Sequence, residues 1–293
     1  MHWVITKQHD GQAVGHYLQH ELSFSKRLIK HIIHGGGDIR VNQQRQTLRC
    51  TLHEGDALTV TFPAERKGSH MVPETMPLDI VYEDDAVLIL HKPAGIASIP
   101  SRLHSSGTIA NGVLAHYEKQ GLPYTFHVVT RLDRQTSGLM LIAKHRWSHS
   151  MLSHMQKKGS IWRAYYAVIE GNPEQEKGSI CKPIGRKKDS IIERTVTTDG
   201  KHAETHYEVV DTSSSHTLVD VRLETGRTHQ IRVHFSHMGH PLAGDDLYGG
   251  STDRVIRQAL HCHQLQFDHP ITGAPMCFTA AIPSDISQLM QTT

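Results

Sequence analysis

Thr130-Arg131-Leu132-Asp133-Arg134-Gln135-Thr136-Ser137-Gly138 runs without a break into Leu139-Met140-Leu141-Ile142-Ala143. One carboxylate stands between two arginines, the Ser-Gly pair reads as a tight turn, and the apolar run reads as a buried strand. Asp133 therefore projects from a loop that enters a rigid element, where proteins hold reactive side chains. Flanking cations favour its charged form. Taken alone, Arg-Leu-Asp reads more readily as an ordinary polar loop in which Asp, Ser and Thr make turn hydrogen bonds. The remaining chain has to decide between the two.

Working outward, strand-like runs dominate residues 77–293: Leu78 to Tyr82, Ala86 to His91, Leu139 to Ala143, Tyr165 to Ile169, Ala203 to Val210, Thr217 to Leu223 and Pro275 to Ala281. Many strands with few helices imply an α+β fold built on a largely antiparallel sheet. Helices are predicted at Thr108 to Lys119, Trp147 to Lys157 and Thr228 to Met238. Upstream, residues 12–34 predict two helices, the second capped by Ser25 and stopped by Gly35-Gly36-Gly37. On that helix Leu28, Ile29, Ile32 and Ile33 share one arc, and Lys26, Arg27, Lys30, His31 and His34 the other. Strands are predicted at Asp38 to Asn42 and Ala57 to Phe62. The expected organisation is a small helix-helix-strand domain at residues 1–63, a polar linker at 64–76 and a large domain at 77–293.

Hydrophobic residues make up 38% and charged residues 20% of the 293, as in ordinary soluble globular proteins, and no apolar stretch is long enough for a membrane span. The first ten residues lack the pattern of a secretion signal, and the four cysteines are scattered, so a cytoplasmic protein is expected. A net charge of +2 does not by itself indicate nucleic acid. Charge is uneven, however: between Lys182 and Lys201 six cations, among them Arg186, Lys187 and Lys188, face three acids, a local balance of +3. That segment is either a solvated loop or one that tracks phosphates.

Several chemistries lack their signatures. Gly35-Gly36-Gly37 has no Lys and Ser or Thr to form a phosphate-binding loop, and Ser137-Gly138 lacks the preceding glycine of a nucleophile elbow. Histidines 229, 234, 237 and 240 have no carboxylate or cysteine at ligand spacing, and strand alternation sends Cys262 away from His261 and His263. No metal is expected. Leu223-Glu224-Thr225-Gly226-Arg227-Thr228-His229-Gln230-Ile231-Arg232-Val233-His234 joins a strand to a helix, and from there Arg232 could pair with Asp133 across a site.

The ordered motifs resemble those of the RluA family of RNA pseudouridine synthases, preceded by a small RNA-binding module shared with a small-subunit ribosomal protein. They are His91-Lys92-Pro93-Ala94-Gly95, then Arg131-Leu132-Asp133 with Thr136-Ser137-Gly138, Arg163-Ala164-Tyr165-Tyr166-Ala167 leading to Gly171, Thr225 to His234, Gly239-His240-Pro241, Gly244-Asp245 and Tyr248. The chain departs from the family pattern at Thr130, Gln135, His91 and Arg163, where a histidine, an acid, an asparagine and a lysine are common. The resemblance implies a pseudouridine synthase catalytic domain, with a mostly antiparallel mixed β-sheet flanked by helices and loops. It assigns the catalytic aspartate to Asp133, the active-site tyrosine to Tyr165 and the aspartate-pairing arginine to Arg232.

Such an isomerase transfers neither electrons nor phosphoryl groups, so no cofactor is expected. The target uridine would flip out of structured RNA into a pocket, Tyr165 would stack on the base, and Arg131 would fill the vacated gap or grip the backbone. Lys26, Arg27, Lys30, Arg186, Lys187, Lys188 and Arg227 would bind RNA, more readily ribosomal than transfer RNA, with the protein acting as a monomer. The competing expectations are a non-catalytic RNA-binding or ribosome-assembly protein and, further off, a nucleoside-bond hydrolase.

Overall fold

The computed structural model describes residues 1–65, 71–101 and 105–291. In the amino-terminal part, four antiparallel strands lie in the order His2–Val4, Ala57–Thr61, Asp38–Val41, Gln44–Arg45 and share a core with the helices Val14–His20 and Lys26–His34. Ser25 caps the second helix, its Oγ accepting the Leu28 N–H at 3.1 Å. Leu28, Ile29 and Ile32 are buried, but Ile33, expected on the same arc, is 37% exposed, because the sheet covers a narrower stripe than the helical wheel suggests. Lys26, Arg27 and Lys30 are exposed, as their arc requires. The strands His2–Val4 and Gln44–Arg45 are too short to show a period in sequence.

This part is joined to the rest by more than the chain. Trp147, on the first turn of the helix Arg146–Lys157, is buried among Trp3, Phe24 and Phe62, and its indole N–H donates to the Leu22 carbonyl at 3.0 Å. An indole buried with its N–H satisfied contributes both area and direction to such a contact. Residues 66–70 of the expected linker lie outside the described residues. On either side the segment is anchored: Glu65 accepts the Arg146 N–H at 3.0 Å and contacts His127, and Asn111 donates to the Val72 carbonyl at 2.6 Å. Burial alone would raise the Glu65 pKa, but the His127 and backbone N–H contacts outweigh it and hold the carboxylate below its usual range.

The large sheet has its strands in the order Lys177–Cys181, Glu204–Thr212, His216–Leu223, Trp162–Glu170, Leu260–Asp268, Ser137–Ala143, Val87–Lys92, Asp79–Glu83. Two short strands, Pro275–Thr279 and His127–Val128, pair off this path with Leu260–Asp268 and Ser137–Ala143. All pairings are antiparallel except that between Leu260–Asp268 and Ser137–Ala143. The helices Ile109–Lys119, Arg146–Lys157 and Gln230–His237 flank it, close to their predicted limits.

Leu260–Asp268, near the middle of the sheet, is absent from the strands predicted by periodicity. A bulge at His263 explains why: the register against Trp162–Glu170 shifts between Cys262 and Gln264. Apolar residues therefore fall at 260 and 262 and then at 265 and 267, all in the main core, and the alternation breaks in mid-strand. The acidic-loop turn is also displaced from its predicted place. The chain turns at Asp133–Thr136, where the Thr136 N–H donates to the Asp133 carbonyl at 3.1 Å, and Ser137 and Gly138 already belong to the strand.

Gly138 has φ 116°, and a Cβ there would lie 2.2 Å from the Cys262 carbonyl oxygen of the parallel neighbour. The glycine thus lets the strand that follows the Asp133 turn approach the bulged strand. Gly138→Ala is expected to lower stability by at least about 3 kcal/mol, combining a strained backbone with an overpacked contact. Thermal unfolding measures this, and an unchanged melting temperature would mean the two strands part without cost.

Candidate active site

The turn that presents Asp133 is laced to the loop following Val87–Lys92. Ser98 Oγ donates to the Leu132 carbonyl at 2.7 Å, the Gly95 N–H donates to the Arg134 carbonyl at 2.9 Å, and Arg134 Nε donates back to the Gly95 carbonyl at 2.9 Å. Beneath them Lys92 is fully buried, its ammonium donating to the carbonyls of Pro93, Ile96 and Arg134 at 2.7 to 3.0 Å. Burial pulls the Lys92 pKa down to about 7, with Asp133 opposing the shift and Arg257 adding to it. Three carbonyls around one ammonium lock two loops into a single platform. In sequence Lys92 stands within the His91–Gly95 motif with nothing nearby to mark this role.

Across the cleft, the loop preceding the helix Gln230–His237 is held by one side chain. Gln230 Oε1 accepts the Arg227 N–H at 2.9 Å and the Thr225 hydroxyl at 2.8 Å, while its amide donates to the Glu204 carbonyl and to Thr205 Oγ1. From this helix Arg232 reaches Asp133, its Nη1 donating to Oδ2 at 3.3 Å. The expected pair is present, yet its stronger partner is Asp245. Nε and Nη2 of Arg232 each lie 2.7 Å from an Asp245 oxygen, and Asp245 is fully buried. The guanidinium also lies over the Tyr248 ring, 4.9 Å from its centroid. Burial would lower the Arg232 pKa, but the Asp245 bonds, with Asp133 adding to them, leave it raised. Arg232 is thus a permanently charged fork aimed from below by Asp245.

The flanking arginines do not perform the role expected of them. Arg134 is occupied with Gly95, and among the described residues the cationic partners within 4 Å of the Asp133 carboxylate are Arg232 and, if protonated, His229. The charges that meet Asp133 at this range therefore come from elements about a hundred residues away in sequence.

Tyr165 is buried on Trp162–Glu170 beside Cys262, its register partner. Burial pushes its pKa well above the ordinary tyrosine range, so the ring carries a neutral phenol, and Cys262 is pushed up to about 12 for the same reason. Asp133, Tyr165 and Arg232 together line a cleft of about 630 Å³, with Arg131, Arg163, Arg194, Arg227 and His229 also on its walls. That volume suits one nucleotide. With Arg134, six arginines line this one cleft and favour an anionic ligand.

The remaining candidates divide. Arg131 and Arg227 stand at the cleft, Arg227 donating from Nε to the His202 carbonyl at 2.8 Å. The basic segment after Lys182 is a hairpin rather than an open loop, pairing Ile184–Arg186 with Arg194–Val196. Arg186 and Lys188 are exposed there, whereas Lys187 is tied to Glu193 at 2.5 Å. Of the histidines considered as ligands, His229, His234 and His240 are engaged with Tyr248, Thr205 and the Glu170 carbonyl. Cys181, His202 and Glu204 do bring donor atoms within 4.8 Å of one another at the sheet edge, with two of the three exposed. No helix among the described residues is long and apolar enough to cross a membrane.

The residues that sequence reasoning missed are Lys92, Gln230, Asp245 and Tyr248. All four fall in the quoted motifs, but their partners are distant in sequence, and spacing carries no trace of them.

A family model described as RNA pseudouridylate synthase matches residues 86–237, about half of the chain and both walls of the cleft. YjbO, an uncharacterized RNA pseudouridine synthase of Bacillus subtilis (strain 168), is 52% identical over 271 residues, covering 92% of this chain and 96% of its own. Ribosomal large subunit pseudouridine synthase D of Xanthomonas campestris pv. campestris is 35% identical over 268 residues, covering 87% of this chain and 80% of its own. Among solved structures, Human RNA Pseudouridylate Synthase Domain Containing 1 superposes with a TM-score of 0.58 at 24% identity, covering 74% of this chain and 86% of that one, a likeness of fold. With the cleft formed by the matched segment and relatives of this kind spanning nearly its whole length, the chain belongs to the RNA pseudouridylate synthase family, isomerases that act on RNA.

Proposed function

We propose that this protein converts uridines of large-subunit ribosomal RNA to pseudouridine, with Asp133 as the reacting carboxylate. The observation that carries the reading is the Asp133–Arg232 contact at 3.3 Å inside a nucleotide-sized cleft that Tyr165 also lines. The reaction breaks the bond between ribose C1′ and uracil N1, rotates the base and joins C1′ to C5, releasing the C5 proton. Asp133 starts it, either by attacking the ribose or by removing a ribose proton. Arg232 holds the carboxylate, and Tyr165 supplies a flat face for the base. Its raised pKa suits a neutral phenol that bonds to the base and argues against a phenolate.

A base inside a helical stack cannot reach Asp133, so the nucleotide flips out at a cost of roughly a few kcal/mol. Arg131, exposed at the cleft, fills the vacated gap or grips the RNA backbone, a reading its exposure there supports. Residues 1–63 act as an RNA-binding domain through Lys26, Arg27 and Lys30, and Arg186, Lys188 and Arg227 extend the phosphate track. Lys187, paired with Glu193, contributes less. The choice of ribosomal RNA rests on the relatives named ribosomal large subunit pseudouridine synthase D, at 35 to 40% identity. The protein works as a monomer in the cytoplasm, without a cofactor.

Release of tritium from ribosomal RNA labelled at uracil C5 tests this reading. Release with retention of the base in the RNA is expected, and affinity should fall steeply with salt as phosphate contacts are lost. Free uracil with abasic RNA would indicate hydrolysis, and RNA binding without any tritium release would favour a non-catalytic binding protein.

A further inference from the structure

His229 has no part in the reaction as proposed, yet the structure holds it with care. It precedes the helix Gln230–His237 in a left-handed backbone conformation, φ 58° and ψ 21°, which costs a residue with a Cβ about 1–2 kcal/mol. Such strain persists where neighbouring bonds over-determine it, and here the Gln230 side chain pins the loop at Thr225 and Arg227. The imidazole consequently stands between two groups of the site. Nδ1 is 2.8 Å from the Tyr248 hydroxyl, and Nε2 is 3.8 Å from Asp133 Oδ2.

Hydrogen-bond accounting assigns the protons. The Tyr248 oxygen accepts the Arg194 N–H at 2.9 Å, and among the described residues His229 Nδ1, 2.8 Å away, is the acceptor within reach of its own proton. Nδ1 is then an acceptor, so a neutral imidazole carries its hydrogen on Nε2, the nitrogen that faces Asp133. The groups around the ring are Asp133 from the turn, Arg232 from the same helix, Arg194 from the hairpin, and Asp245 and Tyr248 from the loop beyond the helix. Burial lowers the His229 pKa, Asp133 draws it back up, and Arg232 and Arg194 press it down again, leaving it below the ordinary histidine value. The ring is therefore neutral near pH 7.

Resting on the reading of Asp133 as the reacting carboxylate, we propose that His229, with its tautomer set by Tyr248, is a positioning residue whose neutral Nε2–H closes on Asp133 Oδ2. The 3.8 Å separation is too long for a hydrogen bond, and bonds of this kind shorten when substrate fills the site. Arg232 Nη1 meets the same oxygen, so two donors on one oxygen would hold the carboxylate in a single rotamer. Neutrality matters: a second cation would pair with the carboxylate and weaken it as nucleophile or base, whereas a neutral N–H orients it without adding charge.

His229→Ala and His229→Gln separate this role from a structural one, because both carry a Cβ in the same left-handed backbone and share its strain. Gln supplies a neutral N–H that does not titrate. Ala should lower kcat about 10- to 100-fold, the loss of one hydrogen bond to a charged group, with KM and RNA affinity unchanged. Gln should recover most of the rate. The wild-type kcat should fall on the acid side as His229 protonates, below the ordinary histidine range, and this limb should move to lower pH in the Gln variant. Tyr248→Phe keeps a ring beneath Arg232 but removes the O–H. It should lower kcat in the same way, and it serves as the test if the His229 variants fail to fold. Wild-type rates in the Ala and Phe variants, or a Gln variant as slow as Ala, would overturn the proposal. Inactivity of Asp133→Asn beside full activity of His229→Ala removes only the His229 role. Turnover by Asp133→Asn removes the reading beneath it.

Discussion

Asp133→Asn is expected to abolish pseudouridine formation, lowering single-turnover tritium release by on the order of 10³-fold or more, while RNA affinity should stay at the wild-type level. The substitution keeps the shape of the side chain and removes its charge. The turn itself survives, because it is closed by the Asp133 carbonyl and not by the carboxylate. Arg232 also keeps its charge balance, since Asp245 holds it with two bonds of 2.7 Å. The Asp133 side chain is 29% exposed and its bond to Arg232 is the longer one, so its loss should cost less than about 1 kcal/mol of stability. An inactive variant with wild-type melting and RNA binding would place Asp133 in the chemistry. A variant within tenfold of the wild-type rate would rule that out and return the residue to a structural ion pair.

Asp245→Ala has the largest expected effect on stability. It leaves the Arg232 guanidinium, only 7% exposed, without the carboxylate that compensates it. Removing one partner of a buried pair costs about 3–5 kcal/mol, and Asp133, at 3.3 Å and on a single nitrogen, cannot substitute for two short bonds. Chemical denaturation should show that loss, together with a fall in turnover as Arg232 loses its aim. Adding Arg232→Met to Asp245→Ala removes the stranded charge and should restore part of the stability. Turnover should stay low, because the donor to Asp133 has gone as well. A single variant as stable as wild type would show that water or another group reaches Arg232, and a double variant with full activity would remove Arg232 from the site.

The helix bounded by Ser25 and the three glycines was readable residue by residue, since capping and chain reversal are local chemistry. The strand Leu260–Asp268 was hidden for an equally local reason, a bulge that reverses which parity faces the core. Its absence from the sequence reading also left the purpose of Gly138 misread, because only the parallel neighbour shows what a Cβ would strike. At the site, Asp133, Tyr165 and Arg232 were nominated by ordered motifs, and the fold brings all three to one cleft. What holds them there was not legible: Lys92 beneath the two loops, Gln230 across the Thr225–Arg227 turn, and Asp245 behind Arg232.

By itself the sequence determined the fold class, because hydrophobic period and caps are properties of neighbouring residues, and its ordered motifs, through their resemblance to the RluA family, nominated the reactive candidates and RNA as the ligand. Tertiary structure alone decided which charges face Asp133. Among the described residues neither Arg131 nor Arg134 forms an ion pair with it, and the arginine that reaches its carboxylate lies 99 positions along the chain. Electrostatic interaction depends on distance through space and on burial, and the folding of a mixed sheet sets both.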